Sequence, residues 1–255
     1  MDQDLWRFLR DWEYDPEHPA RIISLNSGRE VLQVRLPLGV EQYELEGRPD
    51  NERPFGRDTV LEEIKSRIEK YTEKHGSDKD FLLSDEEFAL LEQEALLFYY
   101  RYLVLFQINQ YQRTANDTEH NLEVADIVEK YVDDDYKRNL VLQYRPYMLR
   151  INALSRAMLA VSSGLVSVAR EVINSAVTEI EGLAKVDSPS FQLEQHRSIN
   201  QLKSALAELE NDDDGAKQAL QEELNEAVQR EDYELAAQLR DKINELTHPG
   251  NSNNP

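Results

Sequence analysis

Five of the nine prolines and four of the nine glycines fall within residues 1–57, so the rest of the 255-residue chain is nearly free of helix breakers. Proline removes a helical hydrogen bond and glycine carries an entropic penalty, so this split assigns short elements to the front and long helices to the remainder. Arg21–Leu25 and Glu30–Leu36 are strand-like and are separated by Asn26-Ser-Gly28, a turn that tolerates positive φ. In the second run Val31, Gln33 and Arg35 alternate with Leu32, Val34 and Leu36, the pattern of a half-buried strand. Pro37-Leu-Gly39 breaks it, Glu41–Leu45 forms a third short strand, and Gly47–Gly56 is a turn-rich loop. Residues 1–57 are therefore expected to be a small β meander. Three strands are near the minimum for stability, and the helix at 59–75 is the support the sequence offers.

Beyond residue 57 the periodicity is helical. Asp58 is expected to cap a helix over Thr59–His75, with Val60, Ile64, Ile68 and Tyr71 on one face and Gly76 just past its end. Ser84-Asp-Glu-Glu87 is a capping box, in which the serine oxygen takes a free backbone N–H and the glutamate reaches back to the cap. The helix it opens carries Leu96–Phe106, a run apolar enough to predict burial on several sides. Further helices are expected near 117–133, 136–162 and 165–184, with Asp133–Asp135 as a break and Pro146 kinking or restarting the third.

Two stretches repeat one another. Asn109-Gln-Tyr111-Gln-Arg-Thr114 and Gly164-Leu-Val166-Ser-Val-Ala169 each join two helices. Phe98 corresponds to Ala153, and Thr118 and Asn121 to Ile173 and Ala176. The spacing resembles the tetratricopeptide repeat, a helix-turn-helix whose small residues let paired helices approach closely. It departs from that family in its longer offset and in lacking the terminal proline. Two units need flanking helices to complete the stack, and 59–75 and 190–210 are the candidates. Gly164 and Ala169 are expected where the helices of one unit meet. An irregular bundle containing two similar hairpins is the alternative. Arg101 and Arg156 occupy comparable positions; a buried arginine needs a carboxylate or a bound anion, so both are candidate peptide-carboxylate contacts.

At the C-terminal end Ser188-Pro189 starts a helix with Ile199, Leu202, Leu206 and Leu209 spaced as a coiled-coil seam. Asn211-Asp-Asp-Asp-Gly215 is expected to interrupt it. Leu220, Leu224, Ala227 and Val228 then mark one short helix, and Leu235, Ala236, Leu239, Ile243 and Leu246 a second. Arg230–Asp232 makes the turn, with Asp232 as cap. This is an antiparallel hairpin of about thirty residues, too small to bury a core alone. Its leucine ladder, Asp232-Tyr233-Glu234, Ala236-Ala237 and Leu239-Arg240-Asp241 resemble the UVR motif, named after the UvrB and UvrC subunits of bacterial excision nuclease. The resemblance implies a bacterial protein and a protein-interaction element. In that family the hairpin pairs with a like hairpin and also occurs in regulators of Clp-type proteases. It makes Leu224, Val228, Tyr233, Leu235, Leu239, Arg240 and Ile243 the candidate partner-binding face, with self-association as one use of it. Packing of that face within the chain is the alternative.

The expected architecture is thus mainly α. A β module at 1–57 precedes a tetratricopeptide-like helical domain at 58–186 and a coiled-coil helix at 187–211. A UVR-like hairpin at 212–247 and a disordered tail at 248–255 follow. Composition narrows its partners. With 29 Lys and Arg against 50 Asp and Glu the net charge is −21, which disfavours nucleic acid and anionic membranes, because phosphate binding needs clustered cations. Residues 217–246 are themselves at −4. The absence of cysteine excludes disulfides and thiolate chemistry, and with no secretory signal it fits a cytoplasmic protein.

The chain lacks the glycine-rich nucleotide motifs and the GxSxG nucleophile motif. Its five histidines are scattered, which is the pattern of surface residues, and the Asp runs suit solvated helix caps better than a cation. No cofactor or metal is called for. The reading that follows is a non-enzymatic adaptor that uses the hairpin and a helical-repeat surface, linked to excision repair or Clp-type proteolysis. The competing reading is an enzyme or anionic-ligand binder using Arg48, Arg53 and Arg57 of the loop against the helical domain.

Overall fold

The structure, a computed structural model, describes residues 5–229 and 233–247; the tail at 248–255 and the turn at 230–232 lie outside them. A short helix α1 (Leu5–Arg10) precedes an antiparallel meander of β1 (Ala20–Ser24), β2 (Glu30–Leu36) and β3 (Gly39–Glu44), with β2 central. Ile22 pairs with Leu32 and Leu32 with Tyr43, so the apolar side chains gather on one face. That face, with Leu45, packs on Val104, Leu105 and Ile108 at the end of a later helix, not on the 59–75 helix expected to support it. The other face of β2 is covered too, which corrects the half-buried reading. Gln33 and Arg35 are buried; Gln33 accepts from Arg21 and donates to Gln42, and Arg35 donates to the Trp12 carbonyl at 2.9 Å. The Arg21 guanidinium lies 3.8 Å from the Trp12 ring centre. The segment before β1 therefore acts as a second layer that takes up Arg35, while Gln33 is satisfied by its neighbours on β1 and β3.

The remainder is helical: α2 (Val60–His75), α3 (Asp85–Gln107), α4 (Tyr111–Tyr131), α5 (Asp135–Leu142), α6 (Arg145–Ser162), α7 (Val166–Gly182), α8 (Pro189–Gln229) and α9 (Tyr233–Thr247). Thr59, not Asp58, caps α2, its Oγ1 accepting the Glu62 N–H at 3.1 Å, and Gly76 ends the helix at φ 78°. The Ser84–Glu87 capping box forms in full. Gln143 and Tyr144 separate α5 from α6, and Pro146 lies in the first turn of α6, where its missing N–H leaves no helical bond unmade. α3 buries a single stripe (Phe88, Leu91, Glu94, Phe98, Arg101, Tyr102 and Leu105) and leaves Leu96 and Tyr100 nearly half exposed. Burial on several sides is thus corrected: polar residues share the inner stripe and some apolar ones face out.

The α3–α4 and α6–α7 hairpins turn alike. Asn109 and Gly164 both take positive φ, 60° and 75°, and the next N–H reaches back to a carbonyl of the preceding turn: Gln110 to Leu105, Leu165 to Ala160, each at 2.8 Å. This is a Schellman-type helix end. A Cβ added at Gly164 would meet nothing within 4 Å and the residue is exposed, so its role is the backbone conformation and not a close helix approach. Ala169, by contrast, is fully buried in the helical seam, as the repeat pattern predicts. α2 joins α3 and α4 around Ile64, Leu91 and Val128. At the other end α8 closes on α6 and α7 through Ile199, Leu202, Leu206 and Leu209.

α8 corrects one further expectation. It runs for 41 residues, about 60 Å, straight through Asn211–Gly215. Intrinsic propensity is a weak prior. Here the poor helix formers are flanked by packed turns, Leu209 on the stack and Leu220 on α9, and the helix is carried across them.

Candidate functional site

The terminal hairpin comprises the distal part of α8 and α9 packed back upon it. Leu239 is 5% exposed and seated against Leu220 and Leu224. Of the candidate face, Leu224 and Leu239 therefore point into the hairpin and hold it together, a correction to their reading as partner-binding residues. Ile243 is half-buried, while Leu235 is 43% exposed. Arg240 is exposed and donates to Asp241 at 2.8 Å. Val228 and Tyr233 belong to α8 and α9, with side chains outside the described residues.

A second assembly lies where the β module meets the helices. Glu94 of α3 is fully buried and accepts four groups: the Val60 and Leu61 N–H groups at 2.7 and 3.0 Å, His120 Nε2 at 3.2 Å and Arg48 Nη1 at 3.4 Å. The open N–H groups at the start of α2 suit a carboxylate. Burial would raise the Glu94 carboxyl, but the bonds from His120 and from the Val60 and Leu61 N–H groups hold it below its ordinary range. His120 stacks on Phe98 at 3.6 Å and is only 10% exposed, against the expectation of a surface histidine. Its other ring nitrogen lies 3.2 Å from Asn121 Oδ1.

Two turns further along α3, Arg101 makes two bonds to Asp117, at 2.8 and 2.7 Å, and donates to the carbonyls of Glu44 and Gly47. Burial pushes the Asp117 carboxyl up against the opposing pull of Arg101. A cleft of about 300 Å³ opens beside these groups, lined among others by Thr59, Lys65, Asn116 and His120. The sequence reading missed this assembly. Its one signal was Glu94 and Arg101, opposite charges seven residues apart on an otherwise apolar stripe.

The arginines singled out from sequence are engaged with carboxylates. Arg48 bonds both oxygens of Asp50 and one of Glu94. Arg53 lies 3.3 Å from Asp58, and Arg57 3.3 Å from Glu63. Arg101 is used by Asp117, and Arg156, half exposed, lies 3.3 Å from Glu119. The loop arginines do not converge on one anion site. Asp134 caps α5 through the N–H groups of Tyr136 and Lys137, and Asp135 pairs with Arg138. Among the described residues no cluster of His, Asp and Glu could hold a metal ion, and no helix is long and apolar enough to cross a membrane.

Residues 216–247 match the family described as the UvrB/uvrC motif. No curated protein and no solved structure matches the chain.

Proposed function

We propose that this chain is a non-enzymatic cytoplasmic adaptor. The hairpin at 216–247 binds one protein partner or a second copy, and the helical surface, read as tetratricopeptide-like units, binds another. The observation that carries this is the hairpin itself: a motif-matching pair of helices sealed by Leu239, borne on a helix whose other half is anchored in the stack. A 15-residue α9 on so small a core gains by covering the apolar surface that remains. The resemblance directs the search for partners to excision-nuclease subunits and Clp-type proteases. The net charge of −21 supports protein over nucleic acid.

Affinity capture tests this with the full chain, a chain ending at Glu210, and Leu239→Ala. That substitution removes packing on the order of 2 kcal/mol from the hairpin. A partner retained by the full chain and lost by both variants is the expected result, with only modest sensitivity to salt. Equal recovery by all three would remove the hairpin as the binding element.

A further inference from the structure

A second cleft, of about 440 Å³, lies between α4, α6 and the end of α7. Its apolar lining comes from three places in the chain: Leu122 on α4, Leu149 on α6 and Leu183 just past α7. Along one side α4 presents Glu119, Glu123, Asp126 and Glu129, spacings of three and four that put all four carboxylates on one helix face. Glu179 of α7 stands across from them. The cations at the cleft are drawn onto α4: Arg145 pairs with Asp126 and Glu129, Arg156 with Glu119, and Lys65 of α2 with Glu123. With Lys65 counted on Glu123, five carboxylates against three cations leave the groove at −2. An acidic chain terminus or a phosphate backbone would meet like charge here, the reverse of the carboxylate contact expected for Arg156.

We propose that this groove docks a basic, amphipathic segment of a partner protein. Its Lys or Arg side chains pair with the α4 and α7 carboxylates, and its apolar side chains cover Leu122 and Leu183. The inference rests on the adaptor reading and supplies the partner chemistry for the helical surface. Size agrees, since clefts of about 300–1,000 Å³ accommodate ligands. Leu149 is already buried while Leu122 and Leu183 are half-buried, so a small hydrated cation would leave those two partly open, whereas a peptide satisfies both parts of the lining. Asn152, also in the lining, spends its amide hydrogens on the Ala115 carbonyl and Thr118 Oγ1, each at 3.0 Å. Its carbonyl oxygen is what remains, an acceptor for an incoming N–H.

The test uses the full chain and a fluorescein-labelled amphipathic peptide of lysine and leucine, with a glutamate–leucine peptide of the same pattern as counterpart. Glu119→Gln with Glu179→Gln changes the groove. Glu69→Gln with Glu73→Gln, on the exposed side of α2, changes the net charge equally elsewhere. The groove pair should weaken the lysine peptide about tenfold, the α2 pair should leave it nearly unchanged, and the glutamate peptide should not bind. Hydrogen exchange of the wild-type complex should slow at α4 and α7 and not at α2, a readout that holds even if the groove pair is less stable. No binding by the wild type, equal loss in both variants, or protection away from the groove would overturn the proposal. Leu239→Ala should bind the peptide as the wild type does. Failure of the peptide with hairpin capture intact therefore refutes the groove alone, and the reverse refutes the hairpin alone.

Discussion

The α3–α4 and α6–α7 hairpins share a turn and a spacing, yet their interiors differ in kind. Where the first places Thr114, Thr118 and Asn121, the second places Ala169, Ile173 and Ala176, and all six are buried. In the first, hydroxyl and amide groups are spent on carbonyls: Thr118 on Thr114 and Ala115, Asn121 on Ala95. In the second the seam is aliphatic. Arg101 and Arg156 sharpen the contrast, one sealed under the β module and the other half in solvent. A turn is set by a few local residues, while the environment of a side chain is set by whatever packs against it. The β module packs against the first hairpin and supplies the Glu44 and Gly47 carbonyls to Arg101 and Arg48 to Glu94.

The largest test of that contrast is the arginine pair. Arg101→Ala leaves Asp117 buried without its partner and should cost about 3–5 kcal/mol in urea unfolding. Arg156→Ala should stay within about 1 kcal/mol. Similar values for both would mean that the β module does not distinguish the two hairpins. Next in size is the acid limb. Glu94 lies below its ordinary value of 4.5 when folded, so its contribution is present above pH 4.5 and is lost as pH falls through the lower folded value. Glu94→Gln should flatten that limb of a stability–pH curve; an unchanged limb would show that other carboxylates govern it. In the aliphatic seam, Ala169→Leu should overpack and lower stability by about 1–3 kcal/mol in the same assay. The smallest effect concerns the shared turn. Gly164→Asn should change stability by less than about 1 kcal/mol, because Asn109 already holds the same conformation, whereas Gly164→Val should lower the melting temperature more.

What the sequence made legible was local. The Ser84–Glu87 box, Gly76 as a helix end, the limits of β2 and the restart at Pro146 each depend on residues within one or two turns. The leucine ladder of the hairpin was legible for the same reason. The partners of Arg101 were not, since Asp117 and the carbonyls of Glu44 and Gly47 come from distant segments brought together by packing. Glu94 looked like one more charge on a helix in a chain rich in acids. The acidic groove was not legible either: spacing puts the four carboxylates on one face of α4, but the cleft beside them exists only where α6 and α7 pack. Asn211–Gly215 misled in the opposite way: the local signal was strong and the flanking contacts overrode it.

The unbroken α8 has a geometric consequence for the hairpin. From Leu209, the last stack contact, to Leu220, the first contact with α9, is about three helical turns, so both rows of leucines look the same way. α9 is thereby aligned on the side of α8 that α7 occupies lower down. One residue added between them would swing α9 about 100° around the axis and raise it by about 1.5 Å, while seven would bring it back to within about 20°. The acidic stretch thus works as a dial: its residue count, more than its residue identities, fixes the compass bearing at which the hairpin is shown to whatever approaches it.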